Sequence, residues 1–174
     1  MLSTALFIGR FQPFHLGHLD AFKQALSEND RVIIGIGSSE QNYVEENPFT
    51  AGERFEMIEK TMDAEGVDHA KYMIIPIRNI DNFSLWASHV KLLCPTFQRL
   101  YTGSHMVKEL FAKHASDIEV MDVDIKLDAN ATTIREKILS EDPSWEELVP
   151  PTVAEYLKEK HAASRLKDIR LPRK

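Results

Sequence analysis

The sequence predicts an α/β fold: a doubly wound, mostly parallel sheet with helices on both faces. Three observations predict it. Short apolar, β-branched runs alternate along the chain with segments of helical period. The run "RVIIGIGS" (31–38) is apolar at nearly every position, as a strand covered on both faces should be. Successive runs are separated by crossover-length helical segments, which parallel strands need and which build right-handed βαβ units.

Each element has its own reason. "TALFIG" (4–9) is a short buried strand, and Leu19, Phe22 and Leu26 then recur at helical spacing beside Lys23 and Gln24. Strand 31–38 follows. The segment 50–62 opens with Thr50 as N-cap and Glu53 three residues later, a capping box, with Phe55, Ile58 and Met62 as its buried stripe. "KYMIIPI" (71–77) is a third strand, and "SLWASHVKLL" (84–93) is a helix that Pro95 stops. Strands at 99–103 and 118–123 and helices over 105–114, 132–140 and 150–161 complete the pattern. The basic stretch from about residue 163 to 174 reads as a tail that is solvated or packs on a neighbouring subunit.

With 174 residues, the chain has the size of one domain spanning 1–174. Its net charge of −6 argues against nucleic acid as a partner, so an anionic ligand needs a local cluster of positive groups. Cys94 is the single cysteine, which excludes an internal disulfide and a thiolate metal cluster and fits a cytoplasmic setting. No apolar run approaches the ~20 residues that cross a bilayer, so no membrane partner is expected. The opening "MLSTALFIGR" lacks a basic leader and a cleavage site, so no signal peptide is read there.

The chemistry concentrates in "IGRFQPFHLGH" (8–18), where the first strand should end. A helix beginning near Leu16 or Gly17 puts His15 in the turn and His18 in the first helical turn. Backbone N–H groups and the helix dipole favour an anion there, and Gly17 lets a phosphate approach the backbone. Two imidazoles can donate to phosphate oxygens, and Arg10 adds a permanent charge in fork geometry. Two other readings compete: ordinary surface or core histidines, and a metal site on His15 and His18, for which no nearby third ligand is evident. Gly35 and Gly37 in "GIGSS" either let a ligand lie against backbone or serve tight packing. Arg54 either touches a phosphate or belongs to a structural network, and Trp86 can be plain core.

The H-x-G-H pattern at the first strand-to-helix turn resembles the signature of the nucleotidyltransferase superfamily, which includes cytidylyltransferases, adenylyltransferases and class I aminoacyl-tRNA synthetases. "GRFQPFHLGHL", "IGIGSSEQNYVEENPFTAGERFEMI", "YMIIPIRNI", "LWASHVKLLCPTFQRLYTGS" and "TTIREKIL" follow the order of the archaeal type of nicotinamide-nucleotide adenylyltransferase and look like it. Three departures stand out. Asn130, Ala131 and Thr132 replace a Ser-Gly-Thr, Phe83 replaces an asparagine three residues before Trp86, and "VEEN" precedes the Asn-Pro-Phe-Thr segment.

The resemblance implies a Rossmann-like fold of nucleotidyltransferase type. It implies transfer of AMP from ATP to nicotinamide mononucleotide (NMN), giving NAD and pyrophosphate, with Mg2+ accompanying ATP and no protein-bound metal. It implies catalytic roles for Arg10, His15, His18 and Arg135. Gly9, Phe11, His15, His18, Gly103, Thr132, Thr133 and Arg135 would hold ATP, and Arg10, Gly37, Ser38, Asn47 and Trp86 would hold NMN. It also implies a homo-oligomer, relatives often being hexamers. The alternatives are a related adenylyl- or cytidylyltransferase with another phosphorylated acceptor, a synthetase fragment, and a non-catalytic nucleotide sensor. A synthetase fragment is disfavoured by the acidic charge and by the absence of a second, lysine-rich signature.

Overall fold

The computed structural model describes residues 2–123 and 130–171. Five parallel strands form one sheet: β1 (Thr4–Gly9), β2 (Arg31–Ile36), β3 (Tyr72–Pro76), β4 (Arg99–Tyr101) and β5 (Glu119–Met121). Their order across the sheet is β3-β2-β1-β4-β5. The chain winds outward from β1 to β3, then returns to the other side of β1 to place β4. This reversal makes the β1/β4 boundary the topological switch point, where open parallel sheets bind ligands.

Among the described residues seven α-helices cover the faces: α1 (Leu16–Glu28), α2 (Ala51–Ala64), α3 (Trp86–Leu93), α4 (His105–His114), α5 (Ala131–Leu139), α6 (Pro151–Glu159) and α7 (Ala162–Arg170). Strand alternation divides the core. Ala5, Phe7, Val32, Ile34 and Ile36 pack under α1, α2 and α5–α7. Leu6, Ile8 and Ile33 face α3 and α4 through Trp86, Val90 and Phe111. With both faces covered, the inner strands have no polar side, which is why "VIIGI" (32–36) is apolar throughout.

The capping box at Thr50 and Glu53 is present in both directions. The later elements start or stop within a few residues of their predicted limits. Strand β2 ends at Ile36, so Gly37 and Ser38 leave the ladder and become free to line a site. The predicted helix at 84 begins instead as a 3-10 turn, Phe83–Leu85, whose Ser84 N–H is capped by the Asn82 side chain, and turns α-helical at Trp86.

The basic tail is the main correction. It is helix α7 and packs on its own chain, with Ala162 and Leu166 buried. Arg165 reaches Glu53 at 2.7 Å and lies over the rings of Tyr43 and Phe49, 5.1 and 5.7 Å from their centroids. Arg170 pairs with Glu45 at 3.0 Å and also with Glu136. Charge count alone suggested a solvated segment, but each of these cations has an acidic or aromatic partner brought near only by folding. Residues 172–174 of the tail lie outside the described residues. Among the described residues no helix is long and apolar enough to cross a membrane.

Candidate active site

The turn after β1 is built to hold two histidines in one orientation. His15 is the N-cap of α1 and His18 its third residue, and each imidazole caps the other's backbone. The His18 N–H donates to His15 Nδ1 at 3.3 Å, and the His15 N–H donates to His18 Nδ1 at 3.2 Å. This is the geometry of a Ser/Thr–Glu capping box carried by two imidazoles. The rings stack with centroids 3.5 Å apart, and His18 also meets the edge of Phe11 at 4.9 Å. An accepting Nδ1 carries no proton, so each neutral ring carries its proton on Nε2. Among the described residues neither Nε2 has a hydrogen-bond partner.

Burial holds the His15 pKa down at about 4. Burial, with the charge of His15 in second place, holds His18 well below the usual range. Both rings are therefore neutral donors at pH 7. The same shifts predict a pH effect on the unliganded protein. The unfolded chain takes up protons near pH 6.5 and the folded one does not, so stability is full above 6.5 and is lost as pH falls toward the folded values. Between pH 7 and 5 the expected loss from His15 is about 2 kcal/mol, and His18 adds a loss of the same sign. Urea denaturation at both pH values checks it: the variant His15→Asn/His18→Gln should show a clearly flatter profile, and an equal slope refutes the assignment.

These rings open into a cavity of about 630 Å3 at the switch point. Of the predicted residues, Gly9, Arg10, His15, His18, Gly37, Ser38, Trp86 and Gly103 line it. They come from the ends of β1, β2 and β4 and from the starts of α1 and α3. Gly9 has a steric reason to be glycine: a Cβ there would fall 2.8 Å from the Phe11 ring. Arg10 is the one permanently charged side chain among the described lining residues.

The structure does not bring the other predicted residues to this cavity. Phe11 is buried between Phe7, Phe14 and His18 and acts as a floor for the histidine pair. Asn47 is buried too, donating to Gln41 Oε1 at 2.8 Å, and it is Gln41 that lines the cavity. Thr132 and Arg135 line a second, smaller cavity of about 180 Å3 with Glu45, Glu46 and Arg170. Thr133 lies in the first turn of α5, its N–H donating to the Asn130 cap at 2.8 Å. Arg135 donates to the Gln12 carbonyl at 2.9 Å. Burial first, and the Arg10 charge second, lower its pKa, so the two guanidiniums are close enough to repel. An anion between them would relieve that repulsion.

Arg54 resolves to the structural reading. Fully buried, it donates to the carbonyls of Arg10 (2.9 Å), Gly37 (2.8 Å), Ser38 (3.1 Å) and Thr50 (3.2 Å). Burial brings its pKa down to about 10, which leaves it charged at neutral pH. It thus ties the turn after β1 to the turn after β2. Gln12 makes a parallel tie, exchanging both side-chain hydrogen bonds with the Phe49 backbone at 3.0 Å.

Trp86 is 3% exposed and belongs to the second core cluster, while its edge borders the cavity. Its indole Nε1 is buried without a partner. The more accessible aromatic wall is Phe83, 39% exposed, with its ring centroid 6.1 Å from that of Trp86. Sequence reasoning missed Gln41, Asn79, Thr102, Ser104 and Asn130 as lining residues. Ser104 and Asn130 are N-caps of α4 and α5, a signal that was readable. Gln41 and Asn79 lie in irregular segments whose course only the fold sets.

A switch-point cavity with paired neutral imidazole donors at a helix N-terminus, in an otherwise acidic chain, defines an enzyme of the nucleotidyltransferase class. Residues 6–156 match the cytidylyltransferase-like family model. The nicotinamide-nucleotide adenylyltransferase of Picrophilus torridus is 41% identical over 165 residues, 95% of this chain and 96% of that protein. That of Pyrobaculum aerophilum is 42% identical over 166 residues, 95% and 93%. The chain belongs to the cytidylyltransferase-like family and, within it, to the nicotinamide-nucleotide adenylyltransferases. In fold it is similar to a bifunctional NMN adenylyltransferase/ADP ribose pyrophosphatase from Francisella tularensis, crystallised with AMP and a manganese ion (TM-score 0.78, 24% identity, 97% of this chain). The chain spans about half of that protein, 52%.

Proposed function

We propose that the chain transfers AMP from ATP to nicotinamide mononucleotide, releasing NAD and pyrophosphate. The observation that carries this reading is the pair of free Nε2–H donors at the N-terminus of α1, facing the switch-point cavity beside Arg10. A 5'-phosphate oxygen of the mononucleotide attacks the α-phosphorus of ATP in line. One P–O bond forms, the bond to the β-phosphate bridging oxygen breaks, and pyrophosphate leaves with the electron pair. The nucleophile is already an anion, so no covalent enzyme intermediate is required. Catalysis is then positioning plus charge stabilisation.

In this proposal His15 and His18 donate to ATP phosphate oxygens and strengthen their contact as charge develops at the α-phosphorus. Their neutrality helps: the donors need no proton loss or gain during the step. Arg10 binds phosphate of either substrate. Gly9 and Gly103 let the adenylate lie close to backbone, and Gly37 and Ser38 receive the mononucleotide. Asn130 borders both the cavity and α5, so a triphosphate tail passing it would meet Thr132, the α5 N-terminus and Arg135. Phe11 and Asn47 serve as supports. Among the described residues no group of three or more His, Cys, Asp or Glu is arranged to hold a metal. Magnesium would arrive on the triphosphate, keeping waters and offsetting part of its charge. The same reading includes a cytoplasmic homo-oligomer, which sedimentation of the purified protein checks.

The test is an acceptor panel with ATP and magnesium, read as pyrophosphate release. Nicotinamide mononucleotide should react fastest and yield NAD. A far faster phosphopantetheine or glycerol phosphate acceptor would instead favour a related nucleotidyltransferase, and no reaction with any acceptor would favour a nucleotide sensor.

A further inference from the structure

We infer that Asn79 selects the acceptor by its uncharged carboxamide, taking the N–H of an amide on the base and rejecting the corresponding carboxylate. This rests on the adenylyl-transfer reading above. The phosphate-binding groups lie at β1 and α1, the centre of the sheet. Asn79 follows β3, the edge strand, two strand spacings or ~10 Å away. A mononucleotide anchored by its phosphate at Arg10 and the histidines would extend its base toward that edge.

What waits there is an amide-reading wall. Phe83 and the edge of Trp86 supply apolar surface for a flat ring. Asn79 Nδ2 donates to Ser38 Oγ at 3.0 Å, which fixes the amide plane. Its backbone N–H donates to Glu40 Oε2 at 3.0 Å, which fixes the backbone. Its Oδ1 has no hydrogen-bond partner among the described residues, and Asn79 lines the cavity. A positioned acceptor of this kind satisfies an amide NH2. A carboxylate is acceptor-only, so the same oxygen would face a lone pair and a negative charge. The Glu40 carboxylate on the Asn79 backbone adds repulsion of the same sign. Arg10, the sole permanently charged side chain among the described lining residues, is held for the phosphate, so no lining cation offsets the acid. Rejection follows because a site that pairs a polar group discriminates strongly against a substrate that leaves it unpaired.

The experiment compares kcat/KM for nicotinamide mononucleotide and nicotinic acid mononucleotide in the full chain, with saturating ATP and magnesium. The wild type should prefer the amide by at least about tenfold. Asn79→Leu, which keeps the branched side-chain shape and removes the acceptor, should reduce that preference about tenfold. Asn79→Asp, which keeps an acceptor and adds a charge, should widen it. Thermal unfolding of each variant checks that folding is retained, and Asn79→Asp supplies the answer if the leucine variant is unstable. A wild type that uses both acceptors equally, or variants whose preference stays within twofold of wild type, overturns the assignment of Asn79 while leaving adenylyl transfer intact. No reaction of the wild type with either acceptor overturns the transfer reading and this assignment with it.

Discussion

His18→Ala is expected to lower kcat by about 10² or more while ATP still binds. In the proposed reaction the His18 Nε2–H is one of two neutral donors to the reacting phosphates, and its contact would tighten as the α-phosphorus gains negative charge. The KM for ATP should change far less, because Arg10, His15 and the α1 N-terminus still hold the ground-state triphosphate. The substitution also removes half of the capping box, since the His15 N–H loses its acceptor. A stability loss of about 1 kcal/mol is therefore expected beside the kinetic effect. Steady-state kinetics and a thermal melt separate the two. A kcat within a few-fold of wild type would refute the catalytic role and leave His18 as a cap only.

Arg54→Met should have the largest effect on stability, lowering the unfolding free energy by about 3–5 kcal/mol. One guanidinium serves the carbonyls of Arg10, Gly37, Ser38 and Thr50. Thr50 O also takes the Arg54 N–H and Ser38 O the Gln41 N–H, whereas Arg10 O and Gly37 O have no other hydrogen-bond donor among the described residues. Methionine fills the volume, leaves the Arg10 and Gly37 carbonyls without a donor and takes the side-chain donor from the other two. Arg54→Lys keeps the charge and cannot reach as many carbonyls, so it should fall between wild type and methionine. Urea denaturation measures the order, and a loss under 1 kcal/mol for Arg54→Met would show that water replaces the network at no cost. Because Arg10 and Ser38 sit on the tied turns, the KM for both substrates should rise in any variant that stays folded.

Much of this was legible in the sequence. Strand β1 and the Thr50–Glu53 box come from local rules: a two-residue side-chain alternation and a capping pattern that act within a few residues. The place of the H-x-G-H turn between β1 and α1 was legible, because the end of a strand and the start of a helix can be located from periodicity. The reciprocal capping by the two imidazoles was not, since capping boxes are recognised through Ser, Thr and Glu rather than His. Nor could the chain order separate Arg54 from Arg135. Both are arginines near helix starts, and only the fold shows one spanning four carbonyls and the other bordering a second cavity beside Glu45 and Glu46.

By itself the sequence determined the class of fold, the place of His15 and His18 at the β1–α1 turn and the family, because each depends on local pattern or on residues in a fixed order. Tertiary structure alone decided how distant segments meet. It made the basic C-terminal stretch a packed helix, since Arg165 and Arg170 find Glu53, Glu45 and Glu136 only once α2, α5 and the 43–50 segment are assembled. It made Phe83 the open aromatic wall and Trp86 mostly core, since burial depends on what α4 and β4 place above the ring. It brought Asn79 to the cavity edge, 41 residues in sequence from its partner Ser38, because parallel pairing of β2 with β3 sets their ends side by side. Local propensity acts along the chain, whereas a site at a switch point is closed by contacts between strands far apart in sequence.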